Sequence, residues 1–492
     1  MAALILIFLL VLVAYIAHFY WKVSKYPKGP FPLPFVGNIL QFPLDNIHLY
    51  FDDLSKIYGP VFTVWTPLPS VVLTEYDHVK DAFVKQGDTF TYRSQRPPET
   101  LIQAHANTGV LISDGEVWRT QRRTSLKILR DFGMGRNLME GQVTRSVEAL
   151  LEHLDSGIPD KNNADIFWPI QLCVGNVINE SLFGFHYTYQ NSEKFQNFVK
   201  ILDNHFRVAR GAIPLFVSSF SWLRYVPILG DKGYYSIKRN INSYLKFIED
   251  EVSIQMEKYD ENSEPETFVH AYLKLMNASD NPLLDKKNMI ASVLDFWLAG
   301  METTSNSLRW HIAYAMKYPE VQEKVRKEII DVVGIGRLPS MADKADMPYT
   351  QAVIHEIQRH SNMIPFLLSH ECVTDTTILG EKIPPGTNLF AQIYSIMKHD
   401  SVFEQPEKFN PKRYLLEDGK TFNKAVLERT IPFSIGKRAC AGEGLARMEL
   451  FLIFTALLQK YEFVAASEID FKPDWGAVLT VKPYKCKLIP QF

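Results

Sequence analysis

Phe433-Ser434-Ile435-Gly436-Lys437-Arg438-Ala439-Cys440-Ala441-Gly442 stands just ahead of an apolar helical stretch, Leu445 to Leu458. A cysteine placed there meets the positive end of the helix dipole and the unpaired N–H groups of the first turn, which favours the thiolate. Gly436 and Gly442 let the backbone turn tightly and approach a flat ligand. Arg438 can meet an anionic group beside the sulfur. A lone cysteine is otherwise most often a buried structural thiol, and Cys173, Cys372 and Cys486, which sit in no such pattern, are read that way. Four cysteines without a CxxC pair make no disulfide framework, so the main body of the chain is expected in a reducing compartment.

Working outward, most of the chain carries helical periodicity. Lys287 to Tyr318 is the longest helical stretch and stops at Pro319. Glu320 to Val333 is amphipathic, with Val321, Val325, Ile329 and Val333 on one face, and Tyr349 to His360 lies between Pro348 and Pro365. β-Branched runs at Val61–Thr66 and Ser70–Thr74 predict a hairpin around Pro67-Leu68-Pro69, and strands return near Thr376–Leu379 and at the C-terminal end. The expected class is mainly α with a small β portion, in one large domain over residues 35–492.

Two segments precede it. Residues 1–21 contain no Asp, Glu, Lys or Arg, and about 20 apolar residues suffice to cross a hydrocarbon core of ~30 Å. A cleaved signal peptide is the alternative; the bulky Tyr15, His18, Phe19, Tyr20 and Trp21 at the exit favour an uncleaved transmembrane anchor. Lys22, Lys25 and Lys28 place the rest of the chain on the cytosolic side. Residues 22–34, with Pro27, Pro30, Pro32 and Pro34, form a basic, stiff, extended linker. Lys+Arg 53 against Asp+Glu 55 gives a net charge of -2, which leaves no global basic field and excludes a nucleic-acid partner on that ground.

Two motifs fail. His355-Glu356-Ile357-Gln358-Arg359-His360 resembles the zinc signature HExxH, but the second His is needed where Arg359 stands, and residues five apart point to different sides of a helix. Gly334-Ile335-Gly336 follows a helix and so is no dinucleotide fingerprint. The chain therefore carries no flavin or nicotinamide fingerprint of its own.

The Cys440 loop matches every fixed position of FxxGxRxCxG, the haem loop of the cytochromes P450, and the chain resembles that family along its whole length. It is most similar to the microsomal animal enzymes of P450 family 2, a similarity that includes Trp118-Arg-Thr-Gln-Arg122-Arg123 and Asp131-Phe-Gly-Met-Gly135. The resemblance implies the P450 fold and haem b, with Cys440 as axial ligand; in this family the thiolate pushes electron density toward O–O cleavage. Trp118 and Arg122, spaced i, i+4, offer an indole N–H and a guanidinium fork that suit a carboxylate, and the family uses the pair on a haem propionate. Arg438 is a further haem-holding residue, His370 is placed like the family's propionate-binding residue, and Arg96 is another candidate.

Ala299-Gly300-Met301-Glu302-Thr303-Thr304 matches the family's (A/G)Gx(D/E)T(T/S) segment. A glycine beside threonines weakens the helical ladder, because Thr hydroxyls can bond the i−4 carbonyl. The resulting opening would hold dioxygen and water, with Thr303 as proton relay and Glu302 as its helper. Glu356, Arg359 and Arg413, the last in Phe409-Asn-Pro-Lys-Arg413-Tyr414, correspond to a buried structural network.

The resemblance also implies partners. Electrons would come from NADPH–cytochrome P450 reductase, in some members with cytochrome b5, and Arg119, Arg122, Arg123, Lys127, Arg130 and Lys437 would form a basic patch on the cysteine side of the haem. Residues 212–229, apolar for a loop, would dip into membrane lipid or pack as ordinary core. Leu101, Val110, Phe296, Ala299, Ile364, Leu367 and Val478 would line an apolar pocket. The implied activity is insertion of one oxygen atom from O2 into a lipophilic substrate (fatty acid, steroid or xenobiotic), at the endoplasmic reticulum membrane on a single-pass anchor. A P450-fold isomerase or dehydratase would need no reductase, but the Thr303 segment is intact. A non-enzymatic haem sensor or carrier is separated by NADPH and O2 consumption with purified reductase. The sequons Asn179-Glu-Ser181 and Asn277-Ala-Ser279 should stay bare on a cytosolic domain.

Overall fold

Helix α1, Ala2–Val23, buries none of its residues and is long and apolar enough to cross a membrane. It outruns the uncharged stretch by two residues because Lys22 sits in its last turn, where a cation meets the negative end of the dipole. The computed structural model describes the chain except residues 44, 67, 96–104, 134–137, 210–211 and 476–477. Arg96, Leu101 and Met134-Gly135 therefore lie outside the described residues.

Contacts divide the chain into two units interleaved in sequence. The first comprises Met1–Ser94, Pro365–Asp400 and Ser434–Ala439. The extended linker after α1 has few backbone donors of its own, and its carbonyls are taken up by a side chain: Asn38 Nδ2 donates to the Pro30 and Phe31 carbonyls (3.2 Å each), while Asn38 Oδ1 accepts from the Trp65 N–H (2.8 Å). The expected hairpin is present as β1, Val61–Trp65, antiparallel to β2, Pro69–Leu73. Every residue of both strands is buried, so their sequence runs apolar and β-branched without strict alternation. With β3, His370–Glu371, and β6, Asn388–Ala391, they form a sheet of order β1-β2-β6-β3 in which β2 and β6 run parallel. Between them β4, Thr376–Ile378, and β5, Glu381–Ile383, make a separate hairpin. Its two-residue turn, Leu379-Gly380, has positive φ at both positions, the hand that matches strand twist.

The second unit holds Gln95–Ile364, Ser401–Phe433 and Cys440–Phe492. Its principal helices here are α2, Gly115–Gly133; α3, Phe167–Phe183; α4, Lys286–Lys317; α5, Pro319–Val332; α6, Pro348–Ser361; and α7, Glu443–Lys460. Pro319 and Pro348, expected as boundaries, stand in the first turns of α5 and α6, where a missing N–H costs nothing. From Glu449 to Gln459 every residue of α7 is buried, so this helix is core all round rather than amphipathic. β7, Tyr461–Ala465, pairs antiparallel with β10, Cys486–Pro490, and the short β8, Asp474–Trp475, and β9, Leu479–Thr480, pair with each other.

Residues 212–229 are not a loop. They run as a helix, Ala212–Ser219, a 3-10 turn, Ser221–Tyr225, and the start of a second short helix, Pro227–Gly230. Pro214 falls in a first turn, where it is tolerated. Val217 is buried, whereas Trp222, Tyr225 and Ile228 are exposed.

The Glu356–Arg359–Arg413 network forms as expected. Glu356 and Arg359 are both 0 % exposed. Arg359 Nε donates to Glu356 Oε2 (2.8 Å) and its Nη2 to Oε1 (2.9 Å), while Arg413 Nε (3.1 Å) and the Asn410 N–H (2.8 Å) also reach Oε1. Arg413 further donates to the carbonyls of Glu404 (2.7 Å) and Lys408 (3.0 Å), fixing the segment that leads toward the cysteine loop.

Candidate functional site

In the second unit, α7 starts behind Gly442, its N-cap, and Cys440 precedes that cap by two residues. The Cys440 N–H donates to the Phe433 carbonyl (2.9 Å), which closes the loop. Cys440 is exposed and the other three cysteines are buried. Burial pushes their thiols up, Cys372 to about 11 and Cys486 to about 12. The Cys440 thiol is raised as well, although the Gly442 N–H at the helix end acts in the thiolate's favour, as expected. Loss of water around the sulfur is the largest influence and outweighs the Gly442 N–H bond and the positive charges of Arg122 and Arg447. A bound metal cation changes that balance, since a coordinating thiol is deprotonated outright.

On α2, Trp118 is buried and Arg122 is half-buried beside Cys440; desolvation lowers the guanidinium's pKa and the cysteine opposes it. Arg119, Arg123, Lys127 and Arg130 lie along the exposed face of the same helix, Arg119 in an ion pair with Glu116 (3.5 Å). Of the six residues expected in the basic patch, Arg122 thus turns inward, and Lys437, in the first unit, is paired with Asp88.

On α4, Thr303 Oγ1 donates to the Ala299 carbonyl (2.7 Å), the i−4 bond anticipated from the sequence. The helix nevertheless stays continuous through residues 299–304. Glu302 is buried and its Oε1 accepts from Asn306 Nδ2 (2.6 Å), one turn on, whereas Ala299 and Thr303 keep accessible surface. Of the expected pocket residues in this unit, Val110 and Val478 are buried, Phe296 and Ile364 are half-buried, and Phe296 packs on the Phe268 ring at 5.4 Å. Leu367 belongs to the first unit, where its N–H donates to the Ala391 carbonyl (3.0 Å).

Sequence reading missed Asp295. Its Oδ2 accepts from the N–H groups of Val110 (2.7 Å) and Leu111 (2.9 Å), and desolvation pushes the carboxyl up to about 7 against those two bonds. Gly109 has φ +76°, and a Cβ there would collide with that oxygen.

In the first unit, His370 Nδ1 donates to the Phe90 carbonyl (2.6 Å) and the ring stacks on Phe83 (3.9 Å, 17°). Burial, with Arg93 and Arg438 nearby, holds His370 far below its ordinary pKa; the neutral ring with the proton on Nδ1 is the form that can donate to a carbonyl. Arg438 Nε donates to the Thr91 carbonyl (2.7 Å), and Arg93 Nη1 to the carbonyls of Leu368 (2.8 Å) and Ser369. The segment Phe90–Arg93 thus holds both His370 and Arg438, and Arg93 is a second residue the sequence reading passed over. A Cβ on Gly436, at φ +81°, would collide with the Phe83 carbonyl, so that place in the cysteine loop takes glycine.

His355 and His360 serve the packing of α6. The His355 ring stacks on Tyr414 (5.4 Å), and burial, then Arg447 and Lys344, lowers its pKa to about 3. His360 Nδ1 lies 3.0 Å from the Tyr314 hydroxyl. Among the described residues no cluster of three or more His, Cys, Asp or Glu is placed to hold a metal ion. One accessible thiol with a guanidinium beside it is the donor set suited to a cofactor that brings its own metal ligands and carries anionic substituents, and the residues present fit haem.

The chain matches the family model described as Cytochrome P450 over residues 27–488. It is 37% identical over 480 residues to cytochrome P450 2C23 of Rattus norvegicus, covering 95% of this chain and 94% of that protein. It is 34% identical over 475 residues to cytochrome P450 2H2 of Gallus gallus (95% and 94%) and 37% identical over 485 residues to cytochrome P450 2E1 of Sus scrofa (96% and 94%).

Proposed function

Because the chain belongs to the cytochrome P450 family, and is therefore a haem-thiolate monooxygenase, we propose that Cys440 is the axial ligand of a haem b and that one oxygen atom from O2 is inserted into a lipophilic substrate. The observation that carries the ligand assignment is the exposed Cys440 thiol in a loop closed on Phe433, directly ahead of α7. Haem, when bound, supplies the redox chemistry that activates dioxygen. Trp118 and Arg122 would donate to a propionate, His370 and Arg438 are assigned to hold the cofactor, and Arg96 keeps the same assignment. Thr303 offers a hydroxyl that orders water and passes protons, a relay rather than a base of tuned pKa; Glu302 is the assigned helper.

Electrons come from NADPH–cytochrome P450 reductase, with cytochrome b5 as an auxiliary donor. The exposed stripe Arg119, Arg123, Lys127 and Arg130 offers a partner a row of positive charge. α1 anchors the chain in the endoplasmic reticulum membrane with residues 35–492 as the haem domain in the cytosol, and the exposed Trp222, Tyr225 and Ile228 meet lipid. The substrate class is fatty acid, steroid or xenobiotic. The test is reconstitution of the full chain with purified reductase and lipid, followed by NADPH and O2 consumption and product profiling against a panel of the three classes. Cys440→Ala should abolish the red-shifted band of the reduced carbon monoxide complex. Survival of that band would put another ligand on the iron, and reductase-independent turnover would point to the isomerase reading.

A further inference from the structure

The polar side chains of α4 between residues 303 and 307 follow one rule with one exception. Thr303, Ser305, Asn306 and Ser307 each donate to the carbonyl four residues back, at 2.7, 2.6, 3.1 and 2.9 Å. Thr304 does not. Its hydroxyl donates instead to Glu449 Oε2 on α7 (3.3 Å). A helical threonine ordinarily has the i−4 carbonyl within reach, here that of Gly300, so the long-range acceptor has drawn the hydroxyl away.

The acceptor is unusual in its own right. Glu449 is 1 % exposed, and its other oxygen, Oε1, has no hydrogen-bond partner among the described residues. Desolvation pushes its carboxyl up to about 8, against the Thr304 bond. The other titratable group coupled to it is the Cys173 thiol on α3, itself pushed up by burial and donating to the Ser146 carbonyl (3.4 Å). Burial against one hydroxyl and one thiol favours the neutral acid over the carboxylate, which spares the space between α4 and α7 an uncompensated charge. An apolar side chain would fill the same space without any desolvation cost, which makes packing alone a poor account of a glutamic acid there.

The position of the diverted bond connects it to the site. Thr304 follows Thr303, and the carbonyl it leaves alone, Gly300, follows Ala299, to which Thr303 is bonded. Gly300 retains accessible surface, and a Cβ on it would crowd Ile178 Cδ1 (2.6 Å), so the backbone there stays bare. We propose that Glu449 is a positioning residue for this turn of α4: it holds the Thr304 hydroxyl off the helix's own carbonyls, so that the Gly300 carbonyl stays open to accept from water beside Thr303. The inference rests on the relay role given to Thr303 above.

The experiment compares Glu449→Leu, Glu449→Gln, Thr304→Val and the double variant Glu449→Leu/Thr304→Val, each purified as holoenzyme and assayed with reductase. Two quantities are read: the thermal unfolding midpoint and the share of NADPH electrons released as hydrogen peroxide. Glu449→Leu and Thr304→Val should each raise the peroxide share by about threefold, the leverage of one net hydrogen bond on a branching step. The double variant should exceed neither single variant by much, in peroxide or in midpoint, because the two residues act as one unit. Glu449→Gln should recover most of the coupling, since the amide oxygen accepts from Thr304. Should Glu449→Leu fail to hold haem, Thr304→Val alone decides. Independent, multiplying effects would overturn the proposal, and so would midpoints that fall while the peroxide share stays put. Thr303→Ala in the same assay separates the two claims: wild-type coupling there sinks the relay reading, whereas uncoupling there with none in Thr304→Val sinks the role of Glu449 alone.

Discussion

Glu356→Gln is a small change in shape at the centre of the buried arginine network, and the structure allows its cost to be worked out. Glu356 Oε1 accepts from Arg359 Nη2, Arg413 Nε and the Asn410 N–H, and Oε2 accepts from Arg359 Nε. A glutamine can keep its oxygen at the three-donor position. Its NH2 then takes the place of Oε2 and faces Arg359 Nε, donor against donor. One charge-assisted bond is lost outright, worth ~1.5–3 kcal/mol, and two guanidiniums lose their shared counter-charge where neither is exposed. Breaking a buried ion pair from one side costs about 3–5 kcal/mol, and the same figure is expected here. In a chain of this size unfolding is read best as a rate, so the assay is loss of the carbon monoxide difference spectrum with time at fixed temperature, with intrinsic fluorescence alongside. If most of the cost appears in the unfolding barrier, the half-life falls by more than about tenfold. Arg413→Ala should cost less, because Arg359 retains both bonds to Glu356. A Glu356→Gln half-life within a factor of two of wild type would refute the reasoning, showing that the desolvation of three charges cancels the bonds they make.

Thr303→Ala should leave haem content and the carbon monoxide spectrum intact while more NADPH ends as hydrogen peroxide, with Thr303→Ser recovering much of the coupling; wild-type coupling in the alanine variant would sink the relay. In microsomes Asn277, exposed at the end of its helix, should carry no glycan, and glycan there would invert the orientation. Asp295→Asn should flatten a pH dependence of stability. The folded carboxyl titrates at about 7 against 3.8 ordinarily, so between those values the folded state holds a proton the unfolded state has released. Stability therefore falls as pH rises from about 4 to about 7 and levels off above. The asparagine oxygen can accept both backbone N–H groups without titrating, and an unchanged slope of melting temperature against pH in that variant would refute the assignment.

What the sequence made legible was chemistry carried by neighbours along the chain. The prolines opening α5 and α6, the β1–β2 hairpin and the Thr303–Ala299 bond are all decided within a few residues, and each stands as read. Asp295 escaped notice because its partners, Val110 and Leu111, lie 185 and 184 residues away, and nothing in an apolar helical run says which carboxylate will meet backbone N–H groups. Glu449 escaped for the same reason. So did Arg93, whose carbonyl partners at Leu368 and Ser369 are brought to it by the sheet. Cys440 shows a second limit of local reading. Helix-end electrostatics are visible in sequence, but desolvation is a property of everything packed around the sulfur, and it is the larger influence.

Two short motifs show how far a local pattern reaches before burial decides its meaning. Asn179-Glu-Ser181 is a complete sequon, yet Asn179 is 0 % exposed and its Oδ1 accepts from Trp297 Nε1 (3.0 Å). In the folded chain it is closed to any transferase, so the more direct orientation test is the exposed Asn277. On α2 the i, i+4 spacing groups Trp118 with Arg122, whereas Arg119, Arg123 and Lys127 are exposed. Periodicity cannot say which face is buried, and so Arg122 was assigned to both the cofactor and the docking patch. Arg122 is half-buried beside Cys440, which supports the first of the two. On the proposed reading one helix serves two tasks, with Trp118 and Arg122 turned toward the cofactor and a stripe of positive charge outward, so that substitutions on the outer face should alter salt-dependent encounter with a partner without touching haem retention.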